Sequence, residues 1–286
     1  MQTIGIVGQG FVGSAVYAGF KNHFQTETFD IKKDSTCSSL KELIGKCQFI
    51  FICVPTPMDG DGSCYTEFVR EVIKDIDRMT TTDPDLYTYK KKILIVKSTI
   101  PPGTTEGWNK EYDNVDIVFN PEFLTEANAM DDYKNQSRIV LGGPKRPVSK
   151  VMRLFAKAFP KVPIIKTSST YAEMVKYVTN CFLATKVSFA NEMYEICEYL
   201  NIDYDKVIEY AKHDERLGYS HWSVPGPDGD FGYGGHCFPK DVKALINVAM
   251  ELDSNVNPIM LQATNMKNNK VRKNRDWEDQ QGRAVI

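Results

Sequence analysis

Short apolar runs alternate with amphipathic stretches through the first half of the chain. They are Thr3-Ile-Gly-Ile-Val7, Glu27-Thr-Phe-Asp30, Phe49-Ile-Phe-Ile-Cys-Val54, Ile93-Leu-Ile-Val96, Val115-Asp-Ile-Val118 and Arg138-Ile-Val-Leu141. Continuous apolar runs of this length mark strands buried on both faces, as in a parallel sheet covered by helices. Residues 14–20 read as a helix between the first two runs. After Lys166 the pattern changes. From Tyr171 to about Leu200 there is no Gly or Pro, and Met174, Val178, Cys181 and Phe182 recur at helical spacing. One long helix is predicted there, entered through a capping box, Thr170-x-x-Glu173. Lys176 and Asn180 lie one turn apart on it, and a polar pair on a buried helix is costly unless used or satisfied. A surface Lys176–Glu173 pair is the plainer alternative.

The first strand runs straight into Gly8-Gln-Gly10-Phe11-Val12-Gly13, and the second strand ends on Asp30. A strand, three glycines at this spacing, a helix and an acid on the next strand form a dinucleotide-binding fingerprint. Gly8 permits the tight turn, Gly10 lets backbone N–H groups reach a pyrophosphate, and Gly13 allows close helix–sheet packing. Asp30 would accept hydrogen bonds from the adenosine ribose and repel a 2′-phosphate, so NAD is favoured over NADP. Lys32 and Lys33 weaken that preference. Three more strand ends carry unusual residues: Val54-Pro55-Thr56-Pro57, Lys97-Ser-Thr99-Ile-Pro-Pro-Gly103 and Asn120-Pro-Glu122-Phe123-Leu124-Thr-Glu126. They are expected to line one crevice with the glycine loop, although the prolines alone could serve to end strands. The fold expected is α/β: a Rossmann-like, doubly wound, mostly parallel sheet over residues 1–166. A helical domain built on the long central helix follows over 167–270. Residues 271–286 form a polar tail expected to fray.

The run Phe231-Gly-Tyr233-Gly234-Gly-His-Cys237-Phe-Pro-Lys-Asp241 places a thiol and a carboxylate where chemistry can happen. Pro239 suits a first helical position, which would set Cys237 at a helix N-terminus, where the dipole favours the thiolate. Asp241, one turn on, shares its face. A structural cysteine capping a buried helix is the plainer reading.

Bulk properties narrow the field. A formal net charge of −2 over 286 residues implies no polyanionic partner. The cluster at Lys267, Lys270, Arg272, Lys273 and Arg275 reads as a solvated helix end, not a nucleic-acid surface. No apolar run is long enough to span a bilayer, and no cleavable leader precedes the first strand. Seven cysteines without a C-x-x-C pair suggest neither a disulfide framework nor a zinc site, so no metal is expected. A reducing, cytoplasmic setting follows.

Taken in order, the motifs resemble the UDP-glucose/GDP-mannose dehydrogenase family. They are Gly8-x-Gly10-x-x-Gly13, Cys53-Val-Pro-Thr-Pro57, Lys97-Ser-Thr99, Asn120-Pro-Glu-Phe-Leu124, Glu173-x-x-Lys176-x-x-x-Asn180 and Gly234-Gly-x-Cys237-x-x-Lys-Asp241. The resemblance runs from Thr3 to about Arg272. It implies oxidation of the C6 alcohol of a nucleotide-bound hexose to a carboxylate, with UDP-glucose the first substrate to test and two NAD⁺ reduced. Cys237 would be the nucleophile, forming a thiohemiacetal and then a thioester. Asp241 and Lys176 would support proton transfer, and Lys176 with Asn180 would stabilise the developing oxyanion. Glu122 would be the acid/base of the thioester steps, with Thr99 orienting a water.

By the same resemblance, Gly8, Gly10, Phe11, Val12, Gly13, Asp30, Lys33, Pro55, Thr56, Thr99 and Glu126 would contact NAD. Glu122, Phe123, Leu124, Lys176, Asn180, Arg216, Tyr233 and Gly234 would contact the nucleotide sugar, Arg216 across a homodimer held by the long helix. Three departures stand out. The sequence stops before the family's second Rossmann-like domain, His236 replaces a usual serine, and Ser63-Cys-Tyr-Thr66 lacks a usual aspartate. Two other classes stay open: a catalytically idle NAD-binding remnant acting in assembly, and a two-electron dehydrogenase of the 3-hydroxyacid type. The Lys-x-x-x-Asn pair suits the latter, but it would leave Cys237 without a role.

Overall fold

A computed structural model describes residues 2–83, 85–86, 90–126 and 128–286. The chain divides into two compact units. The first runs up to Thr56 and resumes over Thr66–Lys176; the second comprises Pro57–Tyr65 and Tyr177–Ile286.

The first unit alternates strand and helix: β1 (Thr3–Val7), α1 (Phe11–Phe20), β2 (Gln25–Phe29), α2 (Leu40–Lys46), β3 (Phe49–Ile52), α3 (Glu67–Thr82), β4 (Lys92–Val96), α4 (Thr104–Glu111), β5 (Val115–Phe119), α5 (Ala129–Lys134), β6 (Ile139–Gly142), α6 (Lys145–Ala158) and β7 (Ile164–Thr167). It ends in the first turns of α7 (Ser169–Leu200), which continues into the second unit. The strands form one sheet in the order β2-β1-β3-β4-β5-β6-β7, parallel except where β5 meets β6 at Phe119 and Gly142. This is the expected doubly wound, mostly parallel sheet. The strand order turns back between β1 and β3, and ligands bind at such switch points beyond the carboxyl ends of strands.

Alternate side chains of each strand feed two cores. Ile50, Ile52, Leu94, Val96, Ile117 and Phe119 pack with α2, α3 and α4 on one face. Ile4, Ile6, Phe51, Ile95 and Val118 pack with Val16 and Phe20 of α1 and with Val151 and Phe155 of α6 on the other. Each of these groups is essentially solvent-free, which is why the strands read as unbroken apolar runs.

Several boundaries differ from the sequence reading. Asp30 lies just past β2, which begins two residues earlier than the apolar run suggested. Strand β3 ends at Ile52, before the prolines. β7 is an addition to the sequence reading: none of its residues is buried, Ile164 and Thr167 being half-buried and Ile165 and Lys166 exposed, so Ile-Ile-Lys-Thr carries little apolar signal. The capping box is not formed. Helix α7 starts at Ser169, and Glu173, fully buried, accepts hydrogen bonds from the Gly103 (2.6 Å) and Thr105 (2.9 Å) N–H groups instead. It therefore caps α4, whose preceding residue, Gly103, has φ of 94° and offers no side-chain cap. Nor is there a surface Lys176–Glu173 pair, since both side chains are buried.

The second unit contains the rest of α7, then α8 (Tyr204–Ala211), α9 (Phe238–Leu252) and α10 (Ile259–Val271). Helix α9 starts one residue earlier than Pro239 suggested, with the proline second and Cys237 at the N-cap. The tail does not fray. Trp277 is 3% exposed and packs with Met58 and Ala284, while Arg272 is buried among carboxylates.

Because Glu173 supplies two acceptors to the otherwise free N–H groups at the start of α4, Glu173→Ala should lower unfolding stability by about 1–3 kcal/mol. Urea denaturation reads this directly; an unchanged midpoint would rule out the capping role.

Candidate active site

In the first unit the glycine loop connects β1 to α1. Gly8 has φ of 91°, and a Cβ there would sit 2.8 Å from the Cys53 carbonyl oxygen. A Cβ on Gly13 would overlap the Gly8 carbonyl, whereas one on Gly10 would meet nothing within 4 Å. Space at Gly10 is therefore not needed for packing. It is open, as an approaching phosphate requires. Asp30 closes the loop from the side: Oδ2 accepts the Gln9 N–H (2.6 Å) and Oδ1 those of Lys32 (2.7 Å) and Lys33 (3.1 Å). A carboxylate retains acceptor capacity beyond three bonds, so a ribose hydroxyl can still be served. Lys33 Nζ donates to the Gln9 carbonyl (2.7 Å), which pins the loop from its exposed side. Phe11 and Glu126 line a cavity of about 260 Å³ with Ser14, Asn128 and Met130. Thr56 and Thr99 are buried, and Pro55 is exposed. These residues fit a dinucleotide.

Beyond β5 the chain turns through Pro121, and Glu122 is buried against α7. Its Oε1 and main-chain oxygen each accept from Lys176 Nζ at 2.8 Å, and Oε2 accepts the Leu124 N–H at 2.7 Å. Burial pushes the Glu122 carboxyl up, but the Lys176 ammonium, the Leu124 N–H and the charge of Lys97 together hold it below its ordinary value. Lys97, also buried, donates to Asn120 Oδ1 (2.8 Å), and Asn120 donates to the Val140 carbonyl (2.8 Å). Desolvation pushes the Lys97 ammonium down to about 8. Phe123 stacks beneath Arg138, 4.0 Å from its ring centre.

In the second unit Asp241 is 1% exposed and accepts from Asn180 Nδ2 and Lys240 Nζ, each at 2.6 Å. Burial lowers the Lys240 pKa, and the neighbouring Asp241 charge more than reverses this, leaving the ammonium above its usual value. Cys237 is half-buried at the start of α9, and its carbonyl accepts the Asp241 N–H at 3.0 Å. Tyr233 is buried and Gly234 half-buried on the loop that leads to it. Arg216 is exposed and pairs with Asp214.

Lys176 and Asn180, paired in the sequence reading, thus engage different carboxylates. Lys97, Asn120, Lys240 and Gln9 received no role from the sequence. Lys97 and Lys240 stood inside quoted motifs, but lysines are usually solvated, and only burial marks these two. Gln9 acts through its backbone, which no side-chain motif reports.

Two family models match: the NAD binding domain of the UDP-glucose/GDP-mannose dehydrogenase family over residues 26–159, and its central domain over residues 170–270. The chain belongs to this family. Its first unit is therefore an NAD binding domain. The putative UDP-glucose 6-dehydrogenase YtcA of Bacillus subtilis is 37% identical over 227 residues, which cover 76% of this chain and 50% of that protein. The UDP-glucose 6-dehydrogenase YwqF of the same organism is 34% identical over 219 residues, covering 74% and 47%. A UDP-glucose dehydrogenase structure from Pyrobaculum islandicum aligns with a TM-score of 0.83 at 27% identity, over 94% of this chain and 68% of that one. The chain spans about half the length of the curated relatives it matches. Among the described residues no helix is long and apolar enough to cross a membrane, and no cluster of His, Cys, Asp and Glu could hold a metal ion.

The two glycines separate binding from folding. Gly10→Ala should leave the melting temperature unchanged and weaken NAD⁺ binding at least about tenfold in calorimetric titration. Gly13→Ala should unfold the domain at lower temperature, because the new methyl overlaps Gly8. Equal effects of both changes on stability would sink this division.

Lys97 gives a pH signature. With its pKa depressed to about 8, the folded state binds fewer protons than the unfolded chain from there up to the ordinary lysine value of 10.5. The contribution of this group to stability therefore rises with pH across that window. Lys97→Met should flatten the rise in urea midpoint between about pH 7.5 and about pH 9.5; an identical slope in the variant would exclude a buried ammonium.

Proposed function

We propose that the chain carries the NAD-dependent, four-electron oxidation of a nucleotide-sugar C6 alcohol to a carboxylate, with UDP-glucose as the first substrate to test. The reading rests on one observation above the others: a half-buried thiol at a helix start, four residues before a fully buried Asp241 that is already held by Asn180 and Lys240. A two-electron dehydrogenase has no use for that thiol, and an idle remnant has no use for the buried charges around it. Membership of the family and relatives named UDP-glucose 6-dehydrogenase support the same reading.

NAD⁺, when bound, accepts hydride from the carbon being oxidised. Gly8, Gly10, Phe11, Val12 and Gly13 would hold its pyrophosphate, Asp30 and Lys33 its adenosine end, and Pro55, Thr56, Thr99 and Glu126 the remainder. The residues of this chain do the rest. Asp241 takes up the hydroxyl proton as the alcohol loses its first hydride, and the charge of the Lys176 ammonium supports that transfer. Lys176 and Asn180 donate hydrogen bonds to the oxygen on which charge develops, which counts most in a dry site. The Cys237 thiolate then adds to the aldehyde carbon, and its oxygen is protonated to give a thiohemiacetal that still bears one hydrogen on that carbon. Loss of this hydride and of the hydroxyl proton leaves a thioester. Glu122, ionised beside Lys176, removes a proton from a water oriented by Thr99; the C–S bond breaks, and the thiol and the carboxylate are released. Phe123, Leu124, Tyr233, Gly234 and Arg216 would line the sugar nucleotide, Arg216 from a second copy of the chain. A homodimer through α7 is part of the proposal, since Val178, Phe182, Phe189 and Ile196 are 53%, 66%, 50% and 45% exposed on a helix of apolar period. A cytoplasmic location completes it, in keeping with seven cysteines that are all free thiols.

The test counts NADH formed per nucleotide sugar consumed. Two supports the reading; one indicates a simple alcohol dehydrogenase, and none an NAD-binding assembly protein. Cys237→Ser should end turnover, by about a thousandfold or more, while NAD⁺ binding persists. Normal turnover by that variant would refute covalent catalysis.

A further inference from the structure

The loop that delivers Cys237 is held almost entirely by side chains, and the last of these come from the tail. Gly232 (φ 70°) and Gly235 (φ 69°) bend the chain, so the loop makes no regular backbone ladder. The Gly232 N–H donates to Asn191 Oδ1 (3.1 Å). Tyr233 exchanges two hydrogen bonds with the Asn268 side chain (2.7 and 3.0 Å). The Gly235 N–H donates to both carboxylate oxygens of Asp276, at 3.2 and 3.0 Å. Asp276 is itself fixed by Arg272, whose Nη2 donates to Oδ1 at 3.2 Å.

Arg272 is the centre of this arrangement. Its side chain is 1% exposed, and it meets Asp228 (2.7 Å) and Asp230 (3.5 Å) as well as Asp276. Its Nε also donates to the Asn274 carbonyl at 2.6 Å, and Asp230 accepts the Lys273 (3.1 Å) and Asn274 (2.7 Å) N–H groups. Gly234 lies so close that a Cβ there would overlap both the guanidinium and the Asp276 carboxylate. The glycine is therefore matched to the clamp, not only to the turn. A buried guanidinium is tolerable only with its charge matched, and here three carboxylates do this, while Nε and Nη2 donate hydrogen bonds and Nη1 meets Asp228 as an ion pair alone. Arg272 and Asp276 lie beyond the matched central domain, which ends at residue 270.

We propose that Arg272 and Asp276 are positioning residues for Cys237: by clamping Gly234 and Gly235 they fix where the thiol stands at the start of α9. This rests on the reading of Cys237 as the nucleophile. The planar fork of Arg272 spans carboxylates on both the loop and the tail, which a lysine ammonium cannot do from one point. Loss of the clamp frees the two glycines, the residues with the widest backbone choice, directly ahead of the thiol.

The full chain is compared with Arg272→Ala, Arg272→Lys and Asp276→Asn. The rate of Cys237 alkylation by iodoacetamide is followed across pH, by peptide mass spectrometry. Cys181 and Cys197, 3% and 5% exposed in the same unit, report general loosening. Arg272→Ala and Asp276→Asn should change the Cys237 rate by about fivefold or more and displace its pH midpoint. Cys181 and Cys197 should stay protected, and Arg272→Lys should recover only part of the native profile. Should Arg272→Ala not fold, Asp276→Asn, which leaves Asp228 and Asp230 on the guanidinium, carries the comparison. A native rate and pH profile in the folded variants overturns the proposal. So does parallel labelling of Cys197, since that means the unit has loosened as a whole. Alkylation needs no turnover, so this result is independent of the NADH count; where turnover is present, kcat should fall while KM for NAD⁺ holds.

Discussion

One buried face of α7 carries an acid, a base and an amide, at Glu173, Lys176 and Asn180, and each must be matched where water cannot reach. A desolvated charge without a partner costs several kcal/mol, so the helix can pack only if every such group finds a complement. Each finds a different one. Glu173 takes the free N–H groups at the start of α4, Lys176 takes Glu122 beyond β5, and Asn180 takes Asp241 on α9. Within the first unit Glu173 and Lys176 thereby key α4 and the segment beyond β5 to α7, and within the second Asn180 keys α9. The polar groups that look like a catalytic inventory also determine how their own elements dock.

The same burial sorts the acids, bases and thiols. Desolvation pushes the thiols of Cys47 and Cys53 up to about 12 and raises Cys37 and Cys181, so none of these is a nucleophile at neutral pH. Cys237 differs in position: half-buried at the start of α9, within range of the Lys240 charge. Among the carboxyls the opposition is as clear. Glu173, held by backbone N–H groups and no cation, is raised by its burial, whereas Glu122, beside two ammonium groups, is lowered despite it. Burial alone therefore does not decide which way a carboxyl moves; the partner it meets does.

The motif-bearing residues were legible because their chemistry is local. Gly8, Gly10, Gly13 and Asp30 declare themselves through spacing, and the structure adds only that Asp30 is already tied to Gln9, Lys32 and Lys33. The strands were legible because a doubly covered sheet needs apolar side chains on both faces, and β7 was missed because its position in the sheet does not require them. Polar partnerships were read poorly. Thr170-x-x-Glu173 has the spacing of a capping box, yet Glu173 caps a helix about seventy residues earlier in the chain. Lys176 and Asn180 share a helix face, yet hold different carboxylates. The tail read as solvated because Arg272, Asp276 and Trp277 sit among charged neighbours, and nothing local reveals that they are covered.

The sequence by itself determined the alternation of strand and helix, the glycine turn between β1 and α1, the long helix and the place of a thiol four residues ahead of an acid. These follow from periodicity, backbone freedom and spacing within a few turns of chain. The tertiary structure alone decided which charge meets which, which lysines lose their water, and that residues past 270 close on the loop ahead of Cys237. Those outcomes depend on burial and on contacts between residues far apart in the chain, where the strength of an ion pair or hydrogen bond is set by how much solvent the fold removes.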